Sequence, residues 1–75
     1  MGRLPSVSGK AAIRAFEQLG WTVHRRESSH TSMKKPGHPA LLTVPDHNPV
    51  KPGTLRALIR NADISVDEFV AALKS

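Results

Sequence analysis

The sequence has no cysteine and no tyrosine, a single tryptophan, and only six acidic residues in 75. Without cysteine there is no disulfide, no thiolate metal site and no thiol nucleophile. A domain this small that manages without disulfides suits a reducing compartment. No apolar run reaches the length of a signal peptide or a membrane span, because Met1 opens a polar segment, so the expected location is the cytoplasm. Aromatic side chains are too few to offer a platform for stacked bases. His24, His30, His38 and His47 are spread along the chain without the tight pairing of metal ligands, so neither a metal nor a cofactor is expected. A chain of this length makes one domain, residues 1–75, with too little interior for a deep, dry cleft. Chemistry belongs on an open face, which favours a polymeric partner.

Positive charge is what the chain has in excess. Eleven Lys and Arg against six Asp and Glu leave a net +5. Such a surface attracts polyanions over long range, so the expected partner is nucleic acid or an acidic protein.

Hydrophobic spacing divides the chain into six elements. Ala12, Ile13, Phe16 and Leu19 recur at helical steps, with Ser8 as N-cap and Gly20 at the left-handed C-terminal position, predicting a helix over 9–19. Period two follows over 21–26, with Trp21 and Val23 inward and Thr22, His24 and Arg26 outward. A polar turn at 27–29 leads to a strand over 30–35 with Thr31 and Met33 inward. Pro36-Gly37 marks a turn, in which His38 reads as exposed and inert, and a third strand covers 40–44. The links are too short for parallel crossovers, so the strands are antiparallel. Pro52 opens a second helix with Leu55, Leu58, Ile59 and Ala62 inward. Ser65-Val66-Asp67-Glu68 reads as a capping box for a short third helix that turns Val66, Phe69, Val70 and Leu73 inward. The fold class is α+β, α-β-β-β-α(-α), with a three-stranded antiparallel sheet. One sheet face is buried, Trp21, Phe16 and Phe69 belonging to the core. The other carries Thr22, His24, Arg26, His30, Ser32, Lys34 and Thr43.

Leu4, Ser8-Gly9-Lys10, Leu19-Gly20-Trp21, Arg25, Ser29-His30, Val44-Pro45, His47, Lys51-Pro52-Gly53-Thr54-Leu55, Ile59-Arg60 and Ser65…Phe69 together resemble the HicA (YcfA-like) toxins in order and spacing, from about Gly2 to Leu73. The resemblance implies a fold similar to the double-stranded RNA-binding domain and sequence-lenient, ribosome-independent cleavage of mRNA. It implies a HicB-like antitoxin covering the active face, and contact with DNA only through that complex. Two positions depart from the family pattern. Ser28 stands where Gly-Ser-His is usual, so either serine takes a left-handed conformation at about 1 kcal/mol or the turn is built differently. Asp63 replaces the glycine that commonly ends the second helix, and Asp tolerates that geometry better than most residues.

RNA brings its own nucleophile, the 2′-hydroxyl. A ribonuclease therefore needs a group that moves protons and donors that neutralise the phosphorane, with no call for a metal. Imidazole suits the first task near neutrality. Spacing alone does not separate His30 from a solvated turn histidine. The resemblance at Ser29-His30 assigns it the catalytic role, with Lys10, Arg25, Arg26, Ser29, Lys34, Lys51 and Thr54 as candidate contacts to RNA phosphate. The start of the second helix, at Lys51 to Thr54, reads equally as ordinary helix initiation. His47 is expected to anchor its loop by a hydrogen bond, with Asp46 as an alternative orienting partner for a working imidazole. Charge and fold alone also fit a non-catalytic RNA-binding module or a basic protein-interaction domain.

Overall fold

A computed structural model describes residues 4–75; Gly2, where the family likeness starts, lies outside them. The extended Ser8 accepts a hydrogen bond from the Ala11 amide at 3.1 Å and starts α1 (Gly9–Gln18). The helix ends in a Schellman arrangement, where Gly20 donates to Glu17 and Trp21 to Phe16. Gly20 supplies the required left-handed turn with φ 98°. The strands are β1 (Thr22–Arg26), β2 (His30–Lys34) and β3 (Leu42–Pro45), in the order β1-β2-β3 with both pairings antiparallel. The third strand starts later than its spacing suggests: Leu41 is exposed, and Pro45 takes a place in the ladder opposite His30. That place is open to proline because β3 is an edge strand. After α2 (Pro52–Asn61) a second Schellman turn runs through Asp63, whose φ is 59°. Ser65 and Glu68 then form the reciprocal capping box of α3 (Val66–Leu73). The predicted element order is thus the observed one.

Phe16, Trp21, Met33, Leu42, Val44, Leu55 and Phe69 fill the core between one face of the sheet and the helices. The Phe16 and Phe69 rings meet tilted, with centroids 5.2 Å apart, a favourable arrangement of their quadrupoles. On α3 the inward positions are Phe69 and Ala72, while Val66, Val70 and Leu73 are half-buried at its edge.

Three expectations about individual side chains need correction. In β1 the register shifts between Val23, opposite Met33, and Arg25, opposite Ser32, so His24 is the extra residue of a bulge. A bulge reverses the alternation beyond it. Arg25 consequently joins the outer face, and Arg26, opposite the inward Thr31, turns to the helix side. Strict alternation would have aimed Arg25 at the core. Second, Ser32 lies on the outer face by register but is only 9% exposed. Third, His38 is neither exposed nor idle. Its ring packs on Trp21 with centroids 4.9 Å apart, Nδ1 accepts from the Ala40 amide at 3.1 Å, and Nε2 lies 2.8 Å from the Asp63 carboxylate. Because the amide occupies Nδ1 as acceptor, the Nε2–H donates to Asp63. The imidazole thereby ties the β2–β3 connection to the end of α2.

Candidate active site

The ends of several elements converge where β2 begins. The Asp46 amide donates to the Ser29 carbonyl at 2.8 Å, joining the end of β3 to the turn before β2. Gly9 donates to the His47 carbonyl at 2.8 Å, bringing the start of α1 to the same corner. A side chain at Gly9 would collide with the Pro45 carbonyl oxygen, so only glycine allows this approach. His47 anchors its loop through its main-chain carbonyl, and its side chain is exposed.

His30 stands at this corner, on the outer face and half-buried. The turn that presents it contains no left-handed residue: among the described non-glycine residues only Asp63 has positive φ. Ser28 is therefore not left-handed, and the turn is built without the conformation a glycine would supply. Both ring nitrogens are engaged. Ser29 Oγ lies 3.2 Å from Nδ1, and Glu27 Oε1 lies 3.0 Å from Nε2. The imidazole side chain remains 38% exposed.

The candidate phosphate ligands separate into those near His30 and those remote from it. Arg25, opposite Ser32, is a diagonal neighbour of His30 on the outer face, a relation that spans about 7–8 Å across a ladder. Lys10 and Arg26 both line a shallow cleft of about 120 Å³ on the helix side, with Glu27, Thr31 and Asp46 in its walls. A second cleft of about 190 Å³ continues past Arg14 and Glu17. Lys34 shares the face of His30 but stands four residues along β2, about 13 Å away at strand rise. Lys51 and Thr54 are exposed at the start of α2, where Lys51 makes no side-chain capping bond; no hydrogen bond or ion pair among the described residues links them to His30. Both close ion-pair contacts among the described residues use an imidazole, so the Lys and Arg side chains there are left free of carboxylate partners.

Sequence reasoning missed Glu27, which it treated as one polar residue of a turn. Its spacing of three from His30 was the available signal, but such spacing brings side chains together only in particular turn geometries. His24 sits at the bulge, away from His30, and the structure does not pair the two histidines. No group of three or more metal-ligating side chains occurs among the described residues.

A half-exposed imidazole held between a hydroxyl and a carboxylate, with Arg25 as its diagonal neighbour on the outer face of the sheet, marks one corner of this small basic α+β domain. Residues 9–64 match the family described as HicA toxin of bacterial toxin-antitoxin, and the chain belongs to that family. It is thus the toxin type of a toxin–antitoxin system, for which the partner is an antitoxin. No curated protein matches the chain. No described helix is long and apolar enough to cross a membrane.

Proposed function

We propose that this toxin is a metal-independent endoribonuclease that cleaves mRNA with His30, in the cytoplasm, and that a HicB-like antitoxin silences it by covering the same basic face. The observation that carries the reading is the reachable imidazole of His30 in a chain of the HicA toxin family. In the reaction the 2′-hydroxyl loses its proton and its oxygen bonds to phosphorus. The P–O5′ bond then breaks, and the 5′ oxygen leaves with that electron pair and is protonated. The products are a 2′,3′-cyclic phosphate and a 5′-hydroxyl. His30 moves the proton. Arg25, on the same face, neutralises the phosphate beside it, Ser29 offers a hydroxyl, Lys10 and Arg26 meet a phosphate where the strand passes the helix side, and Lys34, Lys51 and Thr54 meet phosphates further along. The whole domain serves both binding and cleavage.

Purified wild type incubated with RNA in EDTA is expected to yield shorter products. A folded His30→Ala variant should retain binding and lose about 10²–10⁴-fold in rate. A His30→Ala protein that cuts at the wild-type rate rejects the assignment. A mobility shift without shorter products makes the domain a non-catalytic RNA binder, and loss of activity in EDTA makes the reaction metal-dependent.

A further inference from the structure

The two contacts of the His30 ring decide more than its orientation. An ionised Glu27 only accepts hydrogen bonds, so the nitrogen facing it at 3.0 Å must carry a proton. That nitrogen is Nε2. In the neutral ring the lone pair is then on Nδ1, where Ser29 Oγ sits at 3.2 Å. The Ser29 hydroxyl donates to that lone pair in a long, exposed hydrogen bond that a better-placed hydroxyl can replace. We infer that Glu27 is the positioning residue of this site: it holds His30 in the Nε2–H tautomer, and Nδ1 accepts the ribose 2′-hydroxyl proton at the place the Ser29 hydroxyl now occupies.

This rests on the ribonuclease reading and deepens it by giving His30 the role of general base at a stated atom. The proton passes from the 2′-oxygen to Nδ1, the 2′-oxygen attacks phosphorus, and the 5′ oxygen departs with the P–O5′ electron pair and takes a proton from solvent. Glu27 keeps its contact with Nε2 throughout and faces the imidazolium that forms. An exposed pair such as Glu27–His30 adds little to stability, so its consequence is orientational. The other charged groups near the ring are Arg25, diagonal to it across the β1–β2 ladder, Asp46, which reaches the turn through its amide, and Lys10 and Arg26 in the adjoining cleft. None of them makes an ion pair with the ring.

The test joins ¹⁵N NMR of the His30 ring with steady-state cleavage of a single-stranded RNA. Wild type, Glu27→Ala and Glu27→Asp are compared, with amide spectra showing that each is folded. In the neutral wild-type ring Nε2 is expected to be the protonated nitrogen, and Glu27→Ala should add a population protonated on Nδ1. In Glu27→Ala, kcat should fall about tenfold to a hundredfold, part of what a positioned base contributes, with KM nearly unchanged. Glu27→Asp should recover part of both effects. A wild-type ring protonated on Nδ1, or a Glu27→Ala protein with full kcat, overturns the inference. Failure of the wild type to cleave RNA overturns the ribonuclease reading instead, and the spectra still report whether Glu27 fixes the tautomer.

Discussion

Asp63 carries two opposing effects on one side chain. Its left-handed backbone, φ 59°, disfavours any residue with a Cβ, while its carboxylate accepts the His38 Nε2–H at 2.8 Å. Substitution by glycine relieves the first and loses the second, so Asp63→Gly is expected to melt within a few degrees of the wild type. Asp63→Ala loses the bond and keeps the strain. It should cost about 1–2 kcal/mol, lowering the melting temperature by about 5–15 °C in thermal denaturation, without changing RNA cleavage per folded molecule. At this scale the sequence was only partly informative. The tolerance of Asp63 for its turn was readable because it is a local property. The burial of His38 was not, because Pro36, Gly37 and Pro39 mark an exposed turn and the partners that cover the ring, Trp21 and Asp63, are distant in the chain.

The elements themselves follow from short-range chemistry. Ser8 and Ser65 satisfy helix N-termini with side chains three residues from their targets, and Gly20 ends α1 as its position suggests. The β1 bulge escaped notice because alternation has no way to count an extra residue until a partner strand sets the register. That bulge sends Arg25 and Arg26 to opposite sides of the sheet. Docking of α1 depends on Gly9, so Gly9→Ala should push the helix off the Pro45 carbonyl. The expected destabilisation is about 1–3 kcal/mol, read as a lower denaturant midpoint. Cleavage should fall with it, since Lys10 follows directly and would move away from the His30 corner.

For the molecule as a whole, the excess of positive charge, with no Lys or Arg paired to a carboxylate among the described residues, makes the proposed binding to RNA an ion-exchange process. Each phosphate contact contributes about −0.7 to the slope of log K against log salt for a single strand. Arg25→Gln and Arg26→Gln should each flatten that slope by about this amount in a titration by fluorescence anisotropy, and unchanged slopes would place the RNA elsewhere. The sequence by itself determined the order of elements, the buried face and the excess of charge, because each rests on periodicity, capping or composition within a few residues. It also marked His30, through the family likeness of the residues around it. Only the tertiary structure decided which side of the sheet each arginine faces, that His38 is a structural clip, and that Glu27 meets the His30 ring. Those depend on strand register and on the path of a turn, which are settled when distant segments pack and set one another's geometry.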